Sequence, residues 1–254
     1  MPVRKISRSR RSTTGVLTSA HPGGGQHAYE SGLERDLFLR LDFDPGVERF
    51  EAQPVRIHYE GPQGKKRHYT PDTLAFFREG GPYWGSASPE HEAALYEVKY
   101  AEELREKRDK LAPKFEAARS YASGRGWRFE VATEEEIRTP FLWNARFLRK
   151  LAGQPVQTGS KEVRRILEIS ESLEAPTADK IARRVSPHAE DEQDATNAAA
   201  NREKARRRVW HLLARGHFEA DLHSHVLTGS TPLKRTSLRT ASTAEASTHT
   251  RTAA

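Results

Sequence analysis

Apolar residues take a helical rhythm at Leu33, Leu37, Phe38 and Leu41, opening after Ser31 and closing near Pro45. Positions three and four apart share one face of a helix, so this stretch predicts an amphipathic helix. The rhythm then becomes alternation. Residues 50–59 predict a strand, and Gly61-Pro62-Gln63-Gly64 a turn. His68 to Phe77 predicts a second strand and Ala94 to Tyr100 a third, joined by a polar, Gly-rich loop from Arg78 to Glu92. Residues 101–123, rich in Glu, Lys, Arg and Ala, predict a helix that Pro113 should kink or split. Trp127 to Thr133 predicts a further strand. The order α-β-β-β-α-β implies an α/β domain, a mixed sheet flanked by helices.

Gly153 through Ser160 reads as a linker. Helical patterns follow at Val163–Ile169, Thr177–Val185 and roughly Ala198–Arg215, then a short strand through Ala220–Leu227. Two short helices, a longer basic one and a terminal strand resemble a winged helix-turn-helix. Residues 1–28 carry Arg4, Lys5, Arg8, Arg10 and Arg11 with few large apolar groups, and predict a disordered basic arm. From Thr228 the chain is mostly Ser, Thr and Ala, a flexible tail. The expected domains are therefore 1–28 (arm), 29–152 (α/β domain), 160–227 (winged-helix-like) and 228–254 (tail).

Composition narrows the chemistry. The 254 residues include no cysteine, which excludes disulfides, thiolate metal sites and cysteine nucleophiles. Any metal must be held by oxygen or imidazole. A formal net charge of +7 favours a polyanionic partner, because cations placed on phosphates release counterions. No run approaches the roughly 18 apolar residues of a membrane span, and no apolar core follows the basic N-terminus. A soluble cytoplasmic protein is expected.

The chemistry concentrates in two short strings. Asp72 closes Tyr69-Thr70-Pro71-Asp72, and 25 residues later comes Tyr96-Glu97-Val98-Lys99. Strand side chains alternate, so Glu97 and Lys99 share one face while Tyr96 and Val98 share the other. The polar pair should stand at the sheet surface away from the helix layer, beside the strand carrying Asp72. Mg²⁺ wants hard oxygen ligands, and one or two carboxylates with a substrate phosphate suffice. Asp72 and Glu97 could supply them; Mn²⁺ is a plausible substitute. The metal would activate a water, and Lys99 would orient it, help deprotonate it or stabilise developing charge. Glu34 could reach the same cleft. The plainer readings are surface salt bridges for the pair, a turn opener for Thr-Pro-Asp, and a capping box for Ser31-Gly32-Leu33-Glu34.

Arg202, Lys204, Arg206, Arg207 and Arg208 precede an apolar stripe on one predicted helix, and suggest phosphate contact or a solvated face. Arg138, Arg146, Arg149 and Lys150 interleave with Phe141, Trp143 and Phe147; a DNA groove is one reading, and aromatics packed in the core the other. His217, His223, His225 and Asp221 suggest a metal cluster, or one face of a wing strand.

Taken together, Tyr29 through Asp36, Leu41-Asp42-Phe43-Asp44-Pro45, Gln53-Pro54, Tyr69 through Asp72, Tyr96 through Lys99, Trp127-Arg128-Phe129 and Thr133 through Ile137 resemble the TnsA family. These are endonuclease subunits of heteromeric DNA transposases with a restriction-endonuclease-like fold. The likeness covers about residues 28–150, and the C-terminal segment only in outline. It implies that Glu34, Asp72, Glu97 and Lys99 match the family's catalytic positions. It also implies Mg²⁺-dependent hydrolysis at the 5′ ends of a transposon in a prokaryotic cell, at the nucleoid. The implied partners are DNA, a DDE-type transposase subunit that cuts and joins the 3′ ends, and an AAA+ ATPase regulator. Two alternatives stand beside it: a stand-alone restriction-type or phage endonuclease, and a non-catalytic DNA-binding or scaffold protein. The loop with Pro82-Tyr83-Trp84 has no counterpart in the family pattern.

Overall fold

A computed structural model describes residues 13–20, 24–78, 91–154, 157, 159–187 and 192–236. The basic residues of the first twelve positions, the loop around Trp84 and the chain beyond Thr236 lie outside the described residues. The chain divides into two compact units, one of Met1–Gly153 with Leu222–Leu227, the other of Gln154–Asp221 with Thr228–Ala254.

In the first unit the elements run β1 (Gly15–Thr18), β2 (Gln26–Tyr29), α1 (Gly32–Phe43), β3 (Val47–Ala52), β4 (Ile57–Glu60), β5 (Lys66–Tyr69), β6 (Thr73–Phe77) and β7 (Ala93–Val98). They continue with α2 (Ala101–Glu106), α3 (Arg108–Ser123), β8 (Arg128–Ala132), α4 (Glu134–Ile137) and α5 (Pro140–Ala152). The central sheet has the order β3-β6-β7-β8. Its first two pairings are antiparallel and β7–β8 is parallel, as a strand–helix–strand crossover through α2 and α3 requires. Hairpins β1–β2 and β4–β5 complete the unit. This is the mixed sheet flanked by helices that the periodicity predicts, consistent with a restriction-endonuclease-like fold.

Strand β7 shows how the core forms. Ala94, Tyr96 and Val98 pack on one face with Leu33, Leu37, Phe38 and Leu41 of α1. Ala93 and Leu95 pack on the other with Ala118 and Ala122 of α3. Both faces are covered, so β7 is buried throughout.

Several expectations are corrected. The span 50–59 is not one strand, because Gln53 has a left-handed backbone (φ 48°) and Pro54 follows without an N–H to donate. The span 68–77 is cut between β5 and β6 by Pro71 for the same reason. Helix 101–123 does not break at Pro113; α3 runs through it, and the discontinuity falls at Lys107. Part of the supposed disordered arm is ordered: β1 and β2 pair in register, and Leu17 joins the core under α1.

The second unit contains α6 (Lys161–Glu171), α7 (Ala178–Val185), α8 (Glu192–Ala214), β9 (Phe218–Glu219) and β10 (Lys234–Arg235). Val163, Ile166, Ile181, Ala182, Val209 and Leu212 are among its most buried apolar residues. The strand expected over 220–227 is absent. Instead β9 pairs with β10, inside the stretch expected to be a flexible tail. Thr177 bridges Pro232, and Asp179 donates its N–H to Gly229 O at 2.8 Å. A β-carbon at Gly229 would lie 2.3 Å from Asp179 Oδ1, so the approach needs glycine there. No helix among the described residues is long and apolar enough to cross a membrane.

His211 on α8 is buried, and neither ring nitrogen has a hydrogen-bond partner. Burial, then the charges of Arg208 and Arg207, hold its pKa below the ordinary value. The folded state thus binds a proton less readily than the unfolded chain. The stabilising contribution is complete above about pH 6.5 and is lost as pH falls towards the folded pKa. His211→Leu is expected to flatten the melting temperature between pH 7 and pH 5; an unchanged acid slope in that variant would refute the assignment.

Candidate active site

The strand register brings the two sequence strings together. Thr73 pairs with Tyr96, so Asp72 stands next to Glu97 across the ladder. Asp72 donates its N–H to Tyr96 O at 3.0 Å, and its Oδ2 accepts from Val98 N at 2.7 Å. Its other carboxylate oxygen has no hydrogen-bond partner among the described residues. Gln53 donates its own N–H to Asp72 O at 2.9 Å, which holds the Asp72 backbone from the β3 side.

Glu97 shares a face with Leu95, as alternation requires. That face is not open surface: α3 covers it, and Glu97 is only 2% exposed. A buried carboxylate must be compensated. Glu97 Oε2 accepts from Tyr69 Oη at 2.6 Å, while Oε1 meets Lys99 Nζ at 2.9 Å and Lys114 Nζ at 2.7 Å. Lys99 lies just past the end of β7, and its Nζ also donates to Val98 O at 2.9 Å.

Glu34 sits in the first turn of α1. Ser31 caps the helix by accepting from Glu34 N at 3.1 Å, but Glu34 Oε2 accepts from Glu30 N at 2.9 Å rather than from the cap itself. The cap is thus half the expected capping box. Glu34 is close enough for its charge to bear on both Asp72 and Lys99. The four residues singled out from sequence therefore share one site.

The electrostatics are asymmetric. Burial, then the charge of Glu97, pushes Asp72 well above the usual carboxylate range. Burial chiefly raises Glu34 as well. Burial alone would raise Glu97 too, but Lys99, then Lys114, hold it below its ordinary value. Burial opposes the charge on Lys99, yet Asp72 and Glu97 raise its pKa. Three carboxylates face two ammonium groups, so one carboxylate has no matching cation, and burial drives Asp72 and Glu34 towards the neutral form.

Those donors are hard oxygens, and one Asp72 oxygen is open, so the chemistry fits a divalent cation such as Mg²⁺. No group of three or more His, Asp or Glu side chains among the described residues is arranged to hold a metal, and Glu97 is engaged by two lysines. His217, His223, His225 and Asp221, read as a metal cluster or one face of a wing strand, form no such group among the described residues either, and His223 stacks on Phe141 at 4.7 Å.

Lys114 escapes a reading of short motifs, lying 17 residues beyond Glu97 on a helix full of cations. A signal was present. Leu111, Phe115, Ala118 and Ala122 form the buried stripe of α3, and Lys114 falls on that stripe. Lys114→Met is expected to slow the reaction at this site about tenfold, in line with losses at outer-shell partners of active-site groups. It should also move the acidic limb of the pH–rate profile upward, since Glu97 loses one of the cations that keep it ionised. An acidic limb that stays in place would rule out this role.

The five cations expected to contact DNA lie on α8 in the second unit. Arg206 pairs with Asp179 at 2.7 Å, Arg208 with Glu162 at 3.5 Å and Lys204 with Glu162 at 3.7 Å. Three of the five are thus turned to holding α8 on α6 and α7. Arg202 and Arg207 form no such pair among the described residues.

Residues 44–134 match the family described as TnsA-like endonuclease N terminal, a match that supports assignment to the TnsA family. The matched segment contains Asp72, Glu97, Lys99 and Lys114, and begins ten residues after Glu34. No curated protein matches the chain.

Proposed function

With residues 44–134 forming a TnsA-like endonuclease domain, a nuclease of transposition type, we propose that this chain hydrolyses phosphodiester bonds at the 5′ ends of a transposon during excision. The observation that carries the reading is the meeting of Asp72, Glu97 and Lys99 at one end of the central strands β6 and β7, with Glu34 on α1 beside them. A salt-bridge scaffold would need only matched charges. Here negative charge is left uncompensated, which costs stability and suits cation binding.

Asp72 and Glu34 would hold Mg²⁺, with Glu97 joining if a lysine gives way. When bound, the metal lowers the pKa of a coordinated water and offsets charge building on the phosphate. Tyr69 and Lys114 fix the Glu97 carboxylate. Lys99, one-fifth exposed, presents an ammonium at the site's edge, where it orients an attacking water or stabilises the developing oxyanion. The proposed partners are DNA, a DDE-type transposase that processes the 3′ ends, and an AAA+ regulator. Contact of the α8 cations with DNA belongs to the same proposal.

The decisive experiment reconstitutes end cleavage with these partners and Mg²⁺, comparing the wild-type chain with Asp72→Asn. Loss of 5′ cutting with 3′ processing intact supports the reading. Full 5′ cutting by Asp72→Asn would overturn it.

A further inference from the structure

On α1, two residues past Glu34 and so on a different side of the helix, Asp36 is buried with its side chain only 2% exposed. Three arginines converge on it. Arg35 Nη2 lies 3.1 Å from Oδ1, Arg138 Nε lies 3.1 Å from Oδ2, and Arg146 also bonds Oδ1. One carboxylate needs one cation. The other two charges repel each other and are dispensable for burying Asp36, so the cluster carries an excess of about two positive charges. The three side chains remain 38%, 38% and 25% exposed. Each guanidinium has five N–H donors, and a carboxylate with two oxygens leaves donors over.

Aromatic rings interleave with these cations. Arg138 lies over the ring of Tyr100 at 5.8 Å, and Arg146 over that of Trp143 at 4.8 Å. Tyr100 and Trp143 are exposed, unlike Phe141 and Leu142 on the buried side of α5. Trp143, Arg146 and Lys150 follow one another at helical spacing on the outward face of that helix. The cluster also starts beside the active site in the chain: Arg35 follows Glu34, and Tyr100 follows Lys99.

We propose that Arg35, Arg138 and Arg146, framed by Tyr100 and Trp143, seat the phosphodiester backbone of DNA next to the cleavage site. The proposal rests on the endonuclease reading above. Phosphate suits the cluster better than an acidic protein surface does. Its oxygens accept the paired N–H donors of a guanidinium bidentately, and a nuclease must hold phosphates on either side of the one it cuts. Asp36 sets the three forks in place before DNA arrives, so little side-chain entropy is lost on binding.

The test uses the full chain carrying Asp72→Asn, without divalent metal, so that binding is read apart from cleavage. Fluorescence anisotropy with a short duplex is measured across a salt series. Adding Arg35→Gln with Arg138→Gln is expected to weaken binding at least tenfold and to reduce the log–log salt slope by roughly 0.9 for each phosphate no longer neutralised. Trp143→Ala, at a position nearly half exposed, serves as a second variant should the double variant melt early; it should weaken binding several-fold. Unchanged affinity and slope in folded variants would overturn the seat, as would loss of binding to an acidic partner protein with DNA binding intact. A wild-type chain that binds DNA through these residues yet never cuts it in the reaction reconstituted with its partners and Mg²⁺ would instead refute the nuclease reading alone.

Discussion

Asp72→Asn is expected to abolish 5′ cleavage and to make the protein more stable. The two effects share a cause. Burial and Glu97 hold the Asp72 pKa above its ordinary value, so the folded chain favours the neutral carboxyl. A carboxyl raised in this way contributes most to stability at low pH and loses that contribution as pH rises through the folded value. Asparagine keeps an oxygen to accept from Val98 N and removes the charge. A gain of roughly 2–4 °C in melting temperature follows from relieving about 1 kcal/mol. Cleavage should fall by about 10³-fold or more, since a lost ligand forfeits several kcal/mol of charge stabilisation in the transition state. Mg²⁺ supplies a second readout. It should raise the melting temperature of the wild-type chain and do so much less for Asp72→Asn, because only a folded, intact site binds it. A variant that melts lower and still responds to Mg²⁺ in full would mean that Asp72 is an ordinary structural acid.

Asn144→Leu is expected to be among the most destabilising single substitutions in the first unit. Asn144, 1% exposed on α5, donates from Nδ2 to Leu222 O and His225 O, both at 2.9 Å, and accepts from Leu227 N at 2.8 Å. One side chain thus satisfies three backbone groups of the 222–227 segment. Leucine has nearly the same size but leaves all three without a partner. Each stranded buried group costs about 1–3 kcal/mol, so a total of about 3 kcal/mol or more is expected. A second consequence is spatial: proteolysis should open the chain within 222–227 before the central sheet unfolds. Urea unfolding within about 0.5 kcal/mol of wild type would show that water replaces these bonds without loss.

These predictions also separate what could be read along the chain from what could not. The helix over Leu33–Leu41 and the strand through Glu97 were legible, because periods of 3.6 and 2 follow from local backbone geometry, whereas the strand expected through Asp72 is cut by Pro71. The pairing of Glu97 with Lys99 on one face came from the same alternation. Their surroundings were misjudged: expected at an open surface, Glu97 lies beneath α3, and its second cation comes from Lys114. The hairpin of β1 and β2 and strand β10 were read as unstructured. All are short, and ladder hydrogen bonds form between backbone groups that carry no side-chain signature.

The sequence by itself determined the succession of α1, β7, α3 and β8, the absence of sulfur ligands and the identity of Asp72, Glu97 and Lys99 as neighbours. Tertiary structure alone decided that Lys114 completes the buried charge network, that Asn144 holds a segment some eighty residues away, and that three α8 cations are spent on carboxylates of α6 and α7. The physical reason is range. Alternation and periodicity act over a few residues, whereas compensating a buried charge or an orphaned carbonyl draws on whatever partner the fold brings near, however distant in the chain.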